Sequence, residues 1–225
     1  TPDRHIGGQI MAVSGPLARC IKDIEIALKA MSVENYDDPW WAPIPFSFPI
    51  PEKKIALLKK IEGLKIDPII SAELDIVAKR LEDSGWVIEE PKAPNFQEAA
   101  KFQATLWLGE FRRTGGEAIT KENDPDSNFI YSQMSRRCPD TSLEKFMDSL
   151  QQRARISREW NKFFDQYPII LCPITGDIPF PDLKDLESEE SFDLVFDSML
   201  PQIAPPYIGP VSYTHLTLPT KLDVG

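Results

Sequence analysis

The stretch from residue 54 to residue 88 constrains the fold most strongly, because its pattern predicts a strand, a helix and a second strand. Residues 54–58 and 86–88 are apolar runs of strand length. Between them, Asp67 and Pro68 are typical of a helix start, and Gly85 is typical of a helix end. Strands joined by such a crossover run parallel, with a right-handed connection. The chain therefore predicts an α/β fold.

Residues 169–172 predict a third strand. The run is short and wholly apolar, which is typical of a strand in the middle of a sheet that is covered on both faces. Pro168 directly before it ends the preceding helix. We also expect a short strand at residues 9–13.

Two long helices are marked by capping boxes, in which a polar N-cap residue is followed three residues later by Glu. Asn95 and Glu98 open a helix that runs to about residue 113, and Thr141 with Glu144 opens the longest helix of the chain. Two shorter segments complete the prediction: a polar loop at residues 121–127 and a short helix around residues 192–199.

Another helix is predicted from Pro16 to Met31, since proline suits the first helical position. Ile26 and Ala30 fall opposite its apolar stripe, so we expect this helix to be covered on both faces. Apolar residues at steps of three and four form the stripe: Leu17, Ile21, Ile24, Leu28 and Met31.

Arg19 stands out in the first turn of that predicted helix, where the helix dipole disfavours a cation. Asp23 follows one turn later, in the weaker order for an ion pair within a helix. Arg19 therefore forms either an ordinary surface pair with Asp23 or a contact with a partner outside the helix.

This segment also carries a family resemblance. It reads Gly15-Pro16-Leu17-Ala18-Arg19, followed by Asp23, and resembles the Gly-Pro-hydrophobic-Ala-Arg…Asp segment that follows the signature region of amidase-signature hydrolases. The strand–helix–strand unit and residues 158–175 resemble later blocks of the family, in the same order. Pro168 replaces the usual Asp, and Cys172 replaces a common Thr or Gly.

The resemblance implies an α/β fold with a mixed β-sheet covered by helices on both faces, here incomplete and helix-rich. It implies that residues 1–209 are the C-terminal part of a single amidase domain. It also implies hydrolysis of carbon–nitrogen amide bonds by a Ser–cis-Ser–Lys triad, with a small amide as substrate and no cofactor.

The family's triad precedes the Gly-Pro-hydrophobic-Ala-Arg segment, so we expect it to lie upstream of Thr1. The family's Gly-Gly-Ser-Ser-Gly-Gly-Ser run does not occur in the sequence. No catalytic residue is therefore assigned, and we expect the chain alone to be inactive. Two alternatives stay open: a glutamine amidase that resembles the amidase component of the glutamine amidotransferases, and a non-enzymatic helical binding domain.

Trp107, Ile174 and Thr175 are the candidates for a substrate pocket. Ligands of parallel α/β sheets collect at the carboxyl ends of the strands, and Ile174 and Thr175 follow the third predicted strand. Trp107 belongs to a helix face that also carries Gln103 and Glu110, which either border the stripe in water or face a cavity. The alternative for Trp107 and Ile174 is that both are core residues.

The net charge of −10 argues against nucleic acid or an anionic membrane as a partner, because both need a basic face. A homodimer of the full-length protein stays open. Cys20, Cys138 and Cys172 are widely spaced, which favours buried, reduced thiols in a cytoplasmic protein. His5 and His215 lie near opposite ends, so no metal site is predicted.

Residues 210–225 do not continue the family pattern. Their sequence is similar to the in-frame translation of a transposon-end adapter used in sequencing libraries. We therefore expect a non-native tail there, and no role for His215 as a ligand or general base.

Overall fold

The computed structural model describes residues 4–12, 15–38, 41, 43 and 52–208. These residues form nine α-helices and one three-stranded sheet. The strands are β1 (Lys54–Leu57), β2 (Val87–Glu89) and β3 (Ile169–Leu171). The helices are α1 (Ile6–Met11), α2 (Ile21–Met31), α3 (Pro68–Asp83), α4 (Phe96–Thr114), α5 (Gly116–Glu122), α6 (Pro125–Arg137), α7 (Leu143–Gln166), α8 (Glu189–Ser198) and α9 (Leu200–Ile208).

The described sheet has the order β2-β1-β3, and both pairs of neighbours are parallel. Ile55 of β1 stands opposite Ile88 on one side and Ile169 on the other. The parallel strand–helix–strand prediction is therefore confirmed. The prediction that residues 169–172 form a middle strand is wrong for the described residues, because β1 holds the centre and β3 lies at an edge.

Alternate residues of β1 face opposite sides of the sheet. Leu57 packs against α3, where it meets Leu74 and Ala78. Ala56 and Leu58 face the other side and join the main core, which α4, α7 and α9 supply. Helices thus cover both faces of the sheet, and the predicted helix-rich α/β class is confirmed.

Trp160 of α7 lies at the centre of the main core and is only 1% exposed. Its ring meets Phe96 of α4 edge-on at a centroid distance of 4.9 Å, and Phe163 at 5.9 Å. Tyr207 of α9 is fully buried nearby and donates its hydroxyl hydrogen bond to the carbonyl of Ser149. These contacts fix α9 against the body of the domain.

The sequence analysis missed α9, because Pro205 and Pro206 lie inside it and proline normally ends a helix. Here tertiary contacts override that preference. The guanidinium of Arg153 donates at 2.9 Å to the carbonyl of Tyr207 and at 2.9 Å to that of Ile10. One side chain of α7 thereby connects α9 with α1.

The prediction of a strand at residues 9–13 is wrong, since the described part of that segment belongs to α1 and the loop after it. The backbone N–H of Gly7 donates to the Glu110 carboxylate of α4 at 2.6 Å. Met11 at the other end is buried in the main core. A distant residue therefore stabilises this short helix, which its own sequence does not predict.

The prediction for residues 16–31 is correct for the helix and wrong for its start and its environment. α2 begins at Ile21, after an extended Cys20, and Pro16 lies outside it. No residue of α2 is buried among the described residues, and Leu17, Ile21 and Met31 are exposed. The apolar stripe exists but is at most partly covered, since only Ile24 and Leu28 of it are half-buried.

Local helix signals are mostly confirmed. The carboxylate of Asp67 accepts from the N–H of Ile69 at 2.7 Å, and Asn95 accepts from Glu98 at 3.0 Å. Gly85 adopts the left-handed conformation with φ 83°. The cap of α7 is Ser142 and not Thr141, one residue later than predicted.

The polar loop predicted at residues 121–127 is wrong, because α5 and α6 occupy most of it. Asn123 makes the turn with a left-handed φ of 57°. Asp124 then caps α6 by accepting from the N–H of Ser127 at 2.7 Å, and Pro125 opens the helix. This repeats the start signal of Asp67 and Pro68, which the sequence analysis used for α3 only.

Residues 209–225 lie outside the described residues, so the expected non-native tail stays a prediction. A segment without a complementary surface gains no contacts to offset its ordering entropy of roughly 1–2 kcal/mol per residue. Deleting residues 211–225 should therefore leave the melting temperature unchanged in a thermal unfolding experiment. A deletion that lowers stability by several kcal/mol would show that the tail is native.

Candidate functional site

The loop after β3, residues 173–177, is held firmly at the carboxyl edge of the sheet. The N–H of Gly176 donates to the carbonyl of Ser198 at 2.8 Å, and its carbonyl accepts from the N–H of Asp67 at 2.8 Å. A Cβ atom at Gly176 would collide with the carbonyl oxygen of Lys65. Only glycine fits here, and the loop is fixed between the start of α3 and the end of α8.

Ile174 and Thr175 both lie in this loop, as predicted from their position after the strand. Ile174 is 76% exposed, so it does not belong to the core that the described residues form. Thr175 is half-buried, and its hydroxyl donates a hydrogen bond to the carbonyl of Asp177 at 2.6 Å, which stabilises the turn. The rigid loop thus presents an apolar side chain to solvent.

Trp107 of α4 is 45% exposed, whereas its neighbours Leu106 and Leu108 are buried. Trp107 therefore lies outside the core of the described residues. Gln103 is half-buried. Glu110 holds the N–H of Gly7, so its role is structural. Trp107 is therefore an exposed aromatic residue one helical turn before the next aromatic on this face, Phe111.

Phe111 lines an apolar groove that the sequence analysis did not predict. The groove has a volume of about 390 Å³ and lies between α4, α5, α6 and the 3₁₀ turn Lys184–Leu186. Asp126 and Asp185 also contribute to its wall. The apolar side chains that line it include Phe111, Ile119, Ile130, Tyr131, Met134 and Leu186.

The groove was not predicted because α5 and α6, which form one of its walls, were not predicted as helices. The signal was present, since Ile130 and Met134 recur at helical spacing after the Asp124–Pro125 start. The rings of Phe111 and Tyr131 meet edge-on at 5.9 Å and join α4 to α6 inside the groove. Trp107, Ile174 and Thr175 do not line it.

An ion-pair cluster connects α6, which lines the groove, to α8. Arg136 and Arg137 both reach the Asp193 carboxylate at 2.6 Å, and Arg137 also pairs with Asp197. The Arg137 guanidinium lies over the Phe196 ring, 4.6 Å from its centroid. Burial opposes ionisation of Asp193, but hydrogen bonds from Arg137 and Arg136 outweigh it and hold the pKa of this carboxyl below its usual range.

Acid should weaken this connection. The pKa of Asp193 is lower in the folded state than in the unfolded state, so its stabilisation is present above about pH 4 and is lost as pH falls through the folded pKa. We expect Asp193→Asn to cost about 0.5–1 kcal/mol at pH 7 and much less near pH 3. Thermal unfolding of both proteins from pH 7 to pH 3 measures this, and a pH-independent difference would contradict it.

A second charged cluster joins the strands and is structural. Glu89 of β2 pairs with Lys54 at 2.9 Å and accepts from the Tyr167 hydroxyl at 2.7 Å. The hydrogen bonds from Lys54 and then Tyr167 lower the pKa of Glu89, and the same contact with Glu89 raises the pKa of Tyr167. Lys54, Glu89 and Tyr167 thus tie β1, β2 and the start of β3 together.

The cysteines and histidines form no site among the described residues. Cys20 is exposed, so the prediction that all three thiols are buried is wrong for this residue. Burial raises the pKa of the Cys172 thiol, which makes it a poor nucleophile. His5 precedes α1, and His215 lies outside the described residues. No group of three metal-binding side chains occurs in the described part of the chain.

The residues that carry the predicted Gly-Pro-hydrophobic-Ala-Arg motif lie on an exposed segment. Gly15 and Pro16 precede α2 without regular structure. Arg19 and Asp23 are both exposed, and neither forms an ion pair with another described residue. The predicted surface pair is therefore wrong for the described residues, and a partner for Arg19 outside the helix stays a prediction.

Comparison with known proteins shows the family of this chain. The chain belongs to the amidase family, whose profile matches residues 7–206. It is 30% identical over 187 residues to an indoleacetamide hydrolase of Bradyrhizobium diazoefficiens, covering 82% of this chain and 36% of that protein. A second indoleacetamide hydrolase, from Bradyrhizobium japonicum, is 29% identical over 177 residues and is covered to 38%.

Solved structures support the same fold. Fatty acid amide hydrolase superposes with a TM-score of 0.65 at 19% identity, covering 86% of this chain and 36% of that chain. 6-Aminohexanoate cyclic dimer hydrolase superposes with a TM-score of 0.63 at 14% identity, covering 85% and 44%. The chain therefore spans about a third to less than half of the length of these proteins. No helix in the described ranges is both long and apolar enough to cross a bilayer.

Proposed function

We propose that this chain is part of an amidase that hydrolyses the carbon–nitrogen bond of a small amide. The match to the amidase family over residues 7–206 carries the proposal. The parallel sheet and this match argue against a non-enzymatic helical binding domain. The free cysteines suit a reducing compartment, and we infer a cytoplasmic location.

The proposed amide hydrolysis requires catalytic groups that we do not assign to any of residues 1–225. In the proposed Ser–cis-Ser–Lys triad, a Lys takes the proton of the nucleophilic Ser through the bridging Ser, and the nucleophile attacks the amide carbonyl. The carbon–nitrogen bond then breaks, the amine leaves with a proton, and water hydrolyses the acyl-enzyme. Backbone N–H groups stabilise the oxyanion. We assign this machinery to a part of the protein outside residues 1–225.

The proposed contribution of this chain is to bind the acyl group of the substrate. A groove of about 390 Å³ is large enough for a small aromatic molecule, since ligand sites span roughly 300–1,000 Å³. Trp107 stands one turn before Phe111 but does not line the groove, and Ile174 is exposed separately from it at the carboxyl edge of the sheet. The relatives named for indoleacetamide make an aromatic acetamide the substrate class that we propose.

Substitutions in a protein of the family's full length test the predicted pocket residues Trp107 and Ile174, which lie outside the groove. Trp107→Ala and Ile174→Ala should change the relative kcat/KM values for amides of different acyl size by about tenfold, which corresponds to roughly 1.4 kcal/mol of differential binding. Stability should change little, because both side chains are exposed.

Ile76→Ala is the matched control, because Ile76 is an apolar residue of α3 that is 44% exposed, far in sequence from the groove residues. It should leave the order of substrate preference unchanged. If Trp107→Ala and Ile174→Ala also leave that order unchanged while the enzyme stays active, the pocket assignment is wrong.

A further inference from the structure

The apolar groove beside Phe111 has acidic side chains on its wall. Two of its lining residues are carboxylates: Asp126 from the first turn of α6, and Asp185 from the 3₁₀ turn Lys184–Leu186. Asp126 is exposed and Asp185 is half-buried. Among the described residues, the lining contains no lysine, arginine or histidine. A ligand in the groove therefore lies beside two acidic groups and no described basic one.

The basic side chains of the other elements that form the groove are paired elsewhere. Lys121 of α5 pairs with a glutamate of its own helix at 2.9 Å, and Lys184 of the 3₁₀ turn pairs with the glutamate that follows the turn. The two arginines that end α6 bind carboxylates of α8. Neither Asp126 nor Asp185 forms an ion pair with another described residue, so their charges are not neutralised by these cations.

The cations of α4 do not reach the groove either. Arg112 donates to the carbonyl of Cys138 and does not line the groove. Arg113 is exposed and lies about 200° round the helix from Phe111, at 100° per residue. Lys101 lies ten residues before Phe111, which is roughly 15 Å along the helix axis. The groove therefore keeps the negative charge of its two carboxylates.

We propose that Asp126 and Asp185 make the groove select its ligand by charge, so that it takes a neutral aromatic amide and repels the carboxylate that hydrolysis forms. This rests on the proposed function, in which the groove binds the acyl group. Hydrolysis adds water across the carbon–nitrogen bond and turns an arylacetamide into an arylacetate anion and an ammonium ion. The acyl product thus gains a negative charge that the substrate did not carry, which favours its release.

The size of the groove brings that charge within reach of both carboxylates. A volume of about 390 Å³ corresponds to an edge of roughly 7 Å, which is shorter than the Debye length of about 10 Å in 0.1 M salt. At this distance, with screening and an effective dielectric constant of about 40, each carboxylate weakens the binding of an anion about threefold. The two together account for about tenfold. The apolar lining contacts the ring of amide and acid alike, so charge decides between them.

A ligand series with one aromatic ring and three charges tests this selection on the 225-residue chain. Indole-3-acetamide is neutral, indole-3-acetate is an anion at pH 7, and indole-3-ethylamine is a cation. We expect the acetate to bind about tenfold more weakly than the amide, and the amine at least as tightly as the amide. Methyl NMR signals of Ile119, Ile130 and Met134 report occupancy of the groove, and their titration gives the dissociation constants.

Asp126→Asn with Asp185→Asn removes both charges and keeps the shape of the side chains. This double variant should bind the acetate about tenfold more tightly than the unchanged chain does, and should change the affinity for the amide about twofold at most. Glu73→Gln with Glu82→Gln is the matched control, because it changes the net charge equally at two exposed residues of α3. The control should keep the tenfold preference for the amide over the acetate.

Two results would overturn the selection and leave the proposed acyl site standing. The first is equal binding of acetate and amide by the unchanged chain, seen at the methyl signals of the groove. The second is an acetate that stays tenfold weaker after Asp126→Asn with Asp185→Asn. If no ligand shifts these methyl signals, the groove is not the acyl site, and the selection fails together with that part of the proposed function.

Discussion

The 225-residue chain on its own should hydrolyse no amide above the uncatalysed rate. Enzymes of this kind owe accelerations of at least about a million-fold to an activated nucleophile and a prepared oxyanion site. The printed sequence has no Gly-Gly-Ser-Ser-Gly-Gly-Ser run. Burial raises the pKa of the Cys172 thiol, which makes it a poor nucleophile.

Ammonia release from indole-3-acetamide and from a simple aliphatic amide measures this activity. The control is a protein of the family's full length with the serine–glycine run, assayed at equal concentration, which should show turnover. Turnover by the isolated chain that is abolished by a single serine substitution within residues 1–225 would contradict the prediction.

Trp160→Ala should lower the free energy of unfolding by about 3–5 kcal/mol, the usual cost of deleting a large buried aromatic ring. Trp160 is 1% exposed and contacts Phe96, Phe163 and Phe164, with centroid distances of 4.9, 5.9 and 5.8 Å. These residues join α4 to α7, so the loss affects the main core directly. Urea unfolding measures the change.

Met147→Ala is the matched control, because Met147 belongs to the same helix and is 60% exposed. It should change stability by about 0.5 kcal/mol or less. Trp160→Phe should cost less than Trp160→Ala, since the ring Nε1 has no hydrogen-bond partner among the described residues and its loss leaves nothing unpaired. Equal effects of Trp160→Ala and Met147→Ala would show that the core is not centred on Trp160.

The parts of the fold that could be predicted from the sequence are those that local chemistry decides. Asp67 and Asn95 accept hydrogen bonds from N–H groups only two and three residues away, and Gly85 relieves backbone strain at its own position. The crossover between β1 and β2 follows from chain connectivity. Such signals lie within a few residues of each other and need no knowledge of the rest of the molecule.

The parts that could not be predicted depend on residues far apart in the sequence. Glu110 holds the N–H of Gly7 across 103 positions, and this contact supports a helix where the apolar pattern favoured a strand. Arg153 binds the Tyr207 carbonyl of α9, a helix whose two prolines argue against it locally. Tertiary contacts therefore outweighed local preference in both cases.

The candidate site also has parts that could be predicted from the sequence and parts that could not. Ile174 and Thr175 could be placed at the carboxyl edge because they follow a strand, and the structure finds them in a fixed loop there. The groove beside Phe111 could not, because four separate elements form its walls. Trp107 was chosen as a candidate because its helix face carries both aromatic and polar residues. Its exposure one turn before Phe111 could be known only from the way α4 packs in the structure.

Labelling with a serine-directed fluorophosphonate tests the central claim most directly, namely that this chain is a structural part of an amidase whose nucleophile lies elsewhere. The reagent is applied to the isolated chain and to a protein of the family's full length, and mass spectrometry locates the modified residue. We expect one labelled serine in the longer protein, outside residues 1–225, and none in the isolated chain. A stoichiometric label on any serine within residues 1–225, in either protein, would contradict the account.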